Sequence, residues 1–215
     1  MALANRKRVK ALTRQNWIIA ARKTLIRYGI ENVKVEPLAK LLNVTPGSFY
    51  WHFSNREELH EALLANWREA NTSSFHCAVE AARPDPRNRY LAFVGVWVLE
   101  KEFDPRYDRA VREWAQRSQK AARLLLEVDA DRIELLTRIF EDFGYKNIQA
   151  EIRARVTYYH QVGYYALNVK ESQQRRLQLS PYYSEILTGH DFISELGPDE
   201  LKSAFAGDYQ FENLL

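Results

Sequence analysis

The segment from Leu38 to Leu59, LAKLLNVTPGSFYWHFSNREEL, constrains the fold of this 215-residue chain more than any other. Its first part predicts a short helix on which Leu38, Leu41 and Leu42 share one face. Asn43 follows, and asparagine tolerates the left-handed backbone conformation that a helix end requires. The pattern therefore predicts a helix that stops abruptly at a tight turn.

A second short helix is predicted directly after that turn, over Thr45 to Phe53. Thr45 is a suitable N-cap, and Pro46 occupies the first helical position, where its missing N–H costs nothing. Phe49 and Phe53 lie four residues apart and can fill a core. This arrangement turns the remaining side chains towards other faces: Ser48, Tyr50, Trp51 and His52. Two short helices joined in this way form a helix-turn-helix, whose second helix fits a DNA major groove.

The same segment resembles the tetracycline-repressor (TetR) family of bacterial transcription regulators. The resemblance runs from about Trp17 to Leu63, and the Tyr-Trp-His run followed by Asn55 and Arg56 is close to the family's founding member. It also includes Ile18, Ala21, Gly29-Ile30-Glu31, Leu38-Ala39, Val44 and the block Phe49 to Phe53. The resemblance implies a dimeric DNA-binding regulator that a small-molecule ligand releases from a palindromic operator. By this resemblance the regulator is expected to be a repressor, and an activator or a constitutive DNA binder is the alternative within the same class.

The charge of the chain is distributed unevenly, although the net charge is only +3. Residues 1–60 contain eleven Lys and Arg against four acidic residues, a net charge of +7; the rest contains twenty against twenty-four, a net charge of −4. A basic N-terminal unit on an acidic body is typical of a protein that presents one end to phosphates. This supports double-stranded DNA as a partner.

Composition indicates an ordinary globular protein, with 46% hydrophobic and 27% charged residues. The longest apolar run, Leu91 to Leu99, is half the length of a membrane span, so no membrane partner is expected. The basic N-terminus lacks the apolar stretch of a signal peptide, and a cytoplasmic location is the natural interpretation. The single cysteine, Cys77, allows no internal disulfide and is expected to be a small buried side chain.

The hydrophobic periodicity predicts an all-α chain, because no segment alternates with period two. Residues 1–60 are predicted to be the helix-turn-helix DNA-binding domain with a basic arm, and residues 61–215 a larger helical domain for ligand binding and dimerisation. Later helices are expected over about 54–82, 87–102, 106–117, 119–143, 147–173 and 182–187, followed by a polar tail without clear structure. A stripe on the first helix is expected to be buried: Trp17, Ile18, Ala21, Leu25 and Tyr28.

The resemblance also implies which residues contact DNA. By their chemistry, Tyr50, His52 and Arg56 suit phosphates, whereas Ser48 and the Trp51 ring suit base edges and thymine methyl groups. The family usually has Thr or Ser where Lys34 and Val35 stand, and Gly47 offers no side chain. The candidate residues of the helix-turn-helix are Lys34, Thr45, Pro46, Gly47, Ser48, Tyr50, Trp51, His52 and Arg56.

The arm from Asn5 to Lys10 carries four positive charges in six residues and is predicted to be disordered without DNA. The segment Thr45 to Phe53 contains no Lys or Arg. Affinity must then come from elsewhere, and Arg6 and Arg8 are candidates for a narrow A·T-rich minor groove. A merely solvated tail is the alternative.

Two helices in the second region are predicted to form an antiparallel hairpin, Gln119–Phe143 and the helix that starts near Asn147. In TetR-like proteins the equivalent hairpin packs against its twin in a homodimer, and Gly163 would allow a close helix crossing. The candidate dimerisation residues are Ile133, Leu136, Phe140, Phe143, Ile152, Val156, Tyr159 and Gly163. The alternative is that both stripes belong to the core of one subunit.

A ligand site is expected among the aromatic residues of the second region, since Tyr and Trp combine an apolar ring with one polar group. The candidates for an unknown small-molecule effector are Phe93, Trp97, Phe103, Trp114, Tyr158, Tyr159 and Tyr164. A simple aromatic core would look similar in sequence.

Catalysis and cofactors find no support, because the chain lacks HExxH, a P-loop, GxGxxG and GxSxG. We therefore expect no catalytic residues, no metal and no cofactor. The second hypothesis is a helical small-molecule-binding or adaptor protein that does not bind DNA. The basic first sixty residues and the Tyr50-Trp51-His52 run favour the DNA-binding hypothesis.

Overall fold

The computed structural model of the chain describes residues 12–211, and within this range all regular structure is helical. The predicted all-α class is confirmed. The α-helices are α1 (Arg14–Tyr28), α2 (Val35–Leu42), α3 (Arg56–Ala81), α4 (Pro86–Leu99), α5 (Pro105–Ala115), α6 (Gln119–Asp142), α7 (Ile148–Ala166), α8 (Gln173–Thr188) and α9 (Pro198–Phe205). Short 3₁₀ helices cover Ile30–Asn32 and Pro46–Trp51. The basic arm with Arg6 and Arg8 lies outside the described residues.

The chain divides into two compact units, Met1–Asn66 and Trp67–Leu215, and the boundary falls within α3. Across the described residues, no helix is both long and apolar enough to cross a membrane.

The core of the first unit forms around aromatic rings from α1 and the Pro46–Trp51 segment. Trp17 meets Phe49 edge-on with 5.3 Å between ring centroids, and Phe49 stacks on Phe53 at 5.2 Å. Leu38 and Leu59 are fully buried with them. The prediction that Phe49 and Phe53 are core residues is therefore confirmed.

One leucine and one tyrosine of this unit are exposed, although the predicted helix stripes place them on a buried face. Leu41 is 61% exposed, because the buried face of α2 is centred between Leu38 and Ala39 and a residue three positions after Leu38 lies beyond its edge. Tyr28 is also exposed, although it follows the α1 stripe. It is the last residue of α1, and Gly29 turns the chain away at a φ of +79°.

The turn between the two short helices has the predicted form. Asn43 adopts the left-handed conformation, with φ 57° and ψ 46°, and ends α2. The second helix, however, is a 3₁₀ helix of six residues rather than an α-helix. Gly47 has low helix propensity, and the Thr45 side chain makes no capping hydrogen bond, so few local interactions favour a full α-helical turn.

The start of α3 is capped by the side chain of Asn55, which directly precedes the helix. The Glu58 N–H donates to Asn55 Oδ1 at 2.9 Å, and the Ser54 N–H donates to Glu58 Oε2 at 2.7 Å. The Ser54 N–H, with Arg14 at 3.2 Å, lowers the pKa of Glu58. Asn55 is therefore the N-cap, and an ion pair ties α1 to the first turn of α3.

The second unit has a continuous aromatic and aliphatic core between α4, α6, α7 and α9. Leu91 and Phe93 of α4 and Leu136 and Phe140 of α6 are fully buried there. The predicted helix over 147–173 is wrong at its end: α7 stops at Ala166, and Asn168 takes a φ of +54°. The helix predicted over 182–187 is longer, because α8 starts at 173 and accommodates Pro181 within it.

The sequence predicts no clear structure in the C-terminal part, but α9 packs on α4. Leu201, Ala204 and Phe205 of α9 are buried. Gly95 makes this approach possible, since a Cβ atom at that position would lie 2.1 Å from the backbone oxygen of Phe205. The expectation that Cys77 is buried is wrong, because its side chain lies on the outward face of α3 and is exposed.

Candidate DNA-binding surface and ligand cavity

The 3₁₀ helix Pro46–Trp51 presents two large aromatic side chains to solvent. Trp51 is 87% exposed and Tyr50 is 64% exposed. The Tyr50 ring packs edge-on against Phe49 at 5.3 Å, so the buried phenylalanine fixes where the exposed tyrosine stands. Exposed aromatic side chains cost hydration free energy, and their occurrence side by side next to a core residue indicates a contact surface.

The other predicted DNA-contacting residues surround these two side chains in the same unit. Ser48 and His52 are half-buried. Lys34 directly precedes α2 in extended backbone, and Arg56 begins α3. The exposed positions among the candidates are Lys34, Thr45, Pro46, Gly47, Tyr50, Trp51 and Arg56. Each candidate among the described residues is therefore at least partly accessible to solvent.

The second unit contains a cavity between α4, α7 and α8. Each helix contributes a stripe with helical spacing: positions 90, 94, 97 and 98 of α4, positions 157, 160, 161 and 164 of α7, and positions 176, 180, 183, 184 and 187 of α8. The space measures about 540 Å³, counting its open mouth. Glu171, in the connection between α7 and α8, completes the lining.

Only two of the seven aromatic residues predicted to bind ligand line this cavity, Trp97 and Tyr164. Phe93 and Phe103 instead pack around Phe75, at 4.8 and 5.7 Å between centroids, as part of the core. Tyr159 is exposed. The reason lies in the helical period of α7, because positions 157, 160, 161 and 164 face the cavity and 158 and 159 do not.

The remaining two predicted ligand residues are buried elsewhere. Trp114 is buried on α5 and does not line the cavity. Tyr158 belongs to a network of buried charges, since its hydroxyl donates to Asp129 Oδ1 at 2.6 Å and accepts from Arg112 at 2.8 Å. Sequence reasoning also missed every lining residue of α8, because the expected helix covered only its last part.

The buried network joins four helices of the second unit. Arg112 forms a two-bond pair with Asp129, at 2.8 and 2.9 Å, and also donates to Asp108 at 2.8 Å. Arg132, only 1% exposed, donates to the Asn71 carbonyl oxygen at 2.9 Å and lies 3.4 Å from Asp108. The network therefore ties α3 (Asn71), α5 and α6 together, and Tyr158 adds α7.

The protonation states in this network follow from the pairing. Burial alone would raise the pKa of Asp108, but the charges of Arg132 and Arg112 outweigh burial and hold it below its ordinary value. Burial raises the pKa of Tyr158 to about 12, so its hydroxyl stays protonated at neutral pH. The signal in the sequence is the spacing of Asp108 and Arg112, four apart on one helix.

The predicted dimerisation residues divide into two groups. Leu136 and Phe140 are fully buried in the core, which corrects the assignment of these two residues to an interface, whereas Ile133 and Phe143 are half-buried and pack against that core. The reason is that α6 turns this stripe towards α4 and α7 of its own subunit. The α7 residues remain at the surface: Ile152, Val156 and Tyr159 are exposed, and Gly163 has nothing within 4 Å of a built Cβ atom.

Further apolar residues lie exposed on the outer side of α7 and α8. Ile186 is 75% exposed, and Ile148 and Tyr182 are exposed to a similar degree. We name this set the outer face; it comprises Ile148, Ile152, Val156, Tyr159, Tyr182 and Ile186. Within the described residues, no group of three or more His, Cys, Asp or Glu side chains is placed to hold a metal ion.

The first unit thus has the architecture of a helix-turn-helix DNA-binding domain, and the second that of a helical domain with an internal cavity. Residues 18–63 match the family model of the bacterial regulatory proteins, tetR family. The helix-turn-helix unit of this chain therefore belongs to the TetR type, and the resemblance found in the sequence is confirmed.

Individual relatives agree with this result. The chain is 32% identical over 74 residues to the HTH-type transcriptional regulator TtgR of Pseudomonas putida, a match that covers 34% of this chain and 35% of TtgR. The match thus spans about a third of the length of that relative. TtgR and the similar SrpR of Pseudomonas putida are both named as HTH-type transcriptional regulators.

Solved structures extend the similarity to the whole fold. The reduced form of NemR from E. coli superposes with a TM-score of 0.60 at 17% identity, covering 91% of this chain and 95% of NemR. A TetR/AcrR-family regulator of Thermobifida fusca gives a TM-score of 0.60 at 14% identity, covering 82% and 97%. At these identities the similarity concerns the fold alone.

Proposed function

We propose that the protein is a dimeric transcriptional repressor that binds a palindromic operator and is released from it by a small-molecule effector. The observation that carries this proposal is the exposure of Tyr50 and Trp51 on a TetR-type helix-turn-helix. The net charge of +7 in residues 1–60, eleven basic residues against four acidic, supports DNA as the partner.

In this proposal the Pro46–Trp51 helix enters the major groove. Tyr50, His52 and Arg56 contact phosphates, and Ser48 and Trp51 contact base edges. The Thr45 hydroxyl takes part as well, since it makes no capping hydrogen bond within the helix. Lys34 lies at the surface before α2, where its ammonium group can replace the hydroxyl contact that the family pattern usually provides.

The homodimer forms through the outer face of α7 and α8 rather than through α6. Six exposed apolar residues on two adjacent helices exceed what a monomer normally leaves unpartnered. A twofold axis across this surface would pack four helices together, and Gly163 leaves space for a partner helix to approach. Two copies of the DNA-binding unit then match the two halves of a palindrome.

The effector occupies the cavity between α4, α7 and α8. For release to occur, the effector must bind more tightly to the conformation with low DNA affinity than to the conformation that binds the operator. By thermodynamic linkage, operator DNA must weaken effector binding by the same factor. The cavity lining includes α7 and α8, which also form the proposed dimer interface, so a shift of these helices would act on both.

The decisive experiment is to select bound fragments from the native genome and to confirm them by gel shift at low salt. We expect a short palindromic sequence to be enriched and retarded by the wild-type chain. The Trp51→Ala variant should lose retardation, while Leu126→Ala, an exposed residue on α6, should retain it. Absence of any retarded fragment for the wild type would favour the alternative of a helical ligand-binding or adaptor protein.

A further inference from the structure

Five of the fourteen residues that line the cavity carry an aromatic ring. Tyr90, Trp97 and Tyr164 contribute rings from α4 and α7, and Tyr183 lies 4.6 Å from the His160 ring. Burial lowers the pKa of His160, so this ring is neutral at physiological pH. A flat aromatic molecule can stack against such rings, and aromatic stacking adds to the binding free energy beyond the burial of apolar area.

Two polar groups of the lining residues are buried without a partner. Thr157 and Gln161 are both more than nine-tenths buried. Thr157 Oγ1 and Gln161 Nε2 have no hydrogen-bond partner among the described residues. Both residues share one face of α7 with His160 and Tyr164, at the positions that line the cavity. Since buried polar groups nearly always have partners, this pair indicates a ligand that supplies one.

The other polar groups of the interior are already engaged. The Tyr90 hydroxyl is hydrogen-bonded to the Ser184 side chain. Ser180 Oγ donates to the Leu177 carbonyl oxygen at 2.7 Å. Among the lining residues that are more than nine-tenths buried, the unused hydrogen-bonding capacity therefore consists of the amide N–H groups of Gln161 and the hydroxyl of Thr157, which together suit an acceptor atom.

The charged residues of the lining are also accounted for. Arg176 pairs with Glu100 at 2.7 Å, and its guanidinium lies 5.1 Å from the Tyr164 ring. Glu171 is exposed and accepts a hydrogen bond from the Tyr164 hydroxyl at 3.2 Å. Neither residue offers an unpaired charge to the interior of the cavity. An ionic ligand would therefore be buried there without a counter-charge, which is costly.

We propose that the cavity binds an uncharged, flat aromatic molecule that carries a hydrogen-bond acceptor, such as a carbonyl oxygen, which Gln161 and Thr157 hold from α7. This proposal rests on the proposed function only in treating the cavity as the effector site.

Four bicyclic probes of similar size test the ligand class by equilibrium dialysis against the full-length protein. Coumarin is uncharged and has a carbonyl acceptor, naphthalene has no acceptor, 2-naphthoate is an anion, and N-methylquinolinium is a cation. We expect coumarin to bind more tightly than either ion. If an ion binds more tightly than coumarin, or if none of the four binds, the ligand class is wrong.

The variants Gln161→Leu and Thr157→Val test the two side chains. Each should weaken coumarin binding about 3- to 10-fold, the effect of one lost hydrogen bond, while naphthalene affinity changes less than about twofold. The matched control Gln149→Leu alters an exposed glutamine on the same helix and should leave both affinities unchanged. Naphthalene binding also reports that each variant is folded. Equal weakening of coumarin and naphthalene would contradict the assigned hydrogen bonds.

Operator release is measured separately, by fluorescence anisotropy of a labelled operator fragment. Coumarin binding that leaves the operator bound would contradict the effector role of the cavity and still support the ligand class. Release by N-methylquinolinium in preference to coumarin would contradict the ligand class and support the effector role. The two proposals can thus fail independently.

Discussion

At the scale of single residues, the surface of the helix-turn-helix depends on which aromatic rings are buried and which are not. Phe49 and Tyr50 are neighbours in the chain and in space, yet Phe49 is fully buried and Tyr50 is mostly exposed. Substitutions at these two positions should therefore have different consequences, one for stability and one for DNA binding.

We expect Tyr50→Phe to weaken operator binding while leaving the melting temperature within about one degree of wild type. The substitution removes only the hydroxyl of an exposed ring, and one lost hydrogen bond to a phosphate costs about 0.5–3 kcal/mol of binding free energy. Anisotropy titration and thermal unfolding measure the two effects. Phe49→Ala is the contrast, since it should unfold the unit by creating a core cavity. An unchanged operator affinity for Tyr50→Phe would show that the hydroxyl makes no contact.

The Asp108 carboxylate is predicted to make stability depend on pH. The pKa of Asp108 is lower in the folded state than in the unfolded state. Its ionised carboxylate therefore stabilises the fold fully above the unfolded pKa of about 3.9. This stabilisation is lost as the pH falls below that value and through the lower pKa of the folded state. Asp108→Asn should cost about 3–5 kcal/mol at pH 7, because it leaves Arg132 buried without a counter-charge.

Urea unfolding at several pH values tests this prediction. The difference between wild type and Asp108→Asn should shrink as the pH falls below about 4. Asp199→Asn is the control, since the side chain of Asp199 is 97% exposed and its pairing with Lys202 contributes little. A difference that stays constant from pH 7 to pH 3 would mean that Asp108 does not titrate with folding.

At the scale of helices, local signals were enough for the helix-turn-helix but not for the C-terminal part. The turn and the core were predictable because the residues that determine them act locally in the sequence. These residues are Asn43, Pro46, and Phe49 with Phe53. The length of α8 was not predictable, because a proline inside a helix removes a backbone hydrogen bond, and the packing that tolerates Pro181 involves residues far away in sequence. The cavity lining was missed for the same reason, since it depends on how three separate helices meet.

Dimerisation should depend on the outer face of α7 and α8. Tyr159→Asp and Ile186→Asp each place a charge in the proposed interface, where burial without a partner is heavily penalised. Both variants should sediment as monomers at concentrations where wild type is dimeric. Leu126→Asp, which changes an equally exposed apolar residue on α6, should remain dimeric. Dimeric Tyr159→Asp and Ile186→Asp would place the interface elsewhere.

At the scale of the whole molecule, the separation of charge implies that DNA affinity is strongly dependent on salt. The basic residues 1–60 would approach phosphates, while the remaining residues carry a net charge of −4, twenty basic against twenty-four acidic. Four of the basic residues lie in the arm at 5–10, outside the described residues.

Deleting residues 2–10 should make the slope of log K against log salt concentration shallower by roughly 2–6 units per dimer. The expected reason is the loss of up to four phosphate neutralisations per subunit. The deletion should also reduce any preference for A·T-rich sequence flanking the palindrome. Replacing Lys101 and Lys202 by Gln removes two positive charges from the second unit and should leave the slope unchanged. A deletion variant with the wild-type slope would exclude the arm from binding.

The contact between Gly95 and Phe205 has a consequence for how this sequence can diverge. A Cβ atom at position 95 cannot coexist with α9 in its present place, because it would meet the backbone of α9 rather than a side chain that could rotate away. The position of α9 therefore requires glycine at position 95. Homologous chains that retain α9 should keep glycine at this position, and those in which another residue has replaced it should have lost or relocated their last helix.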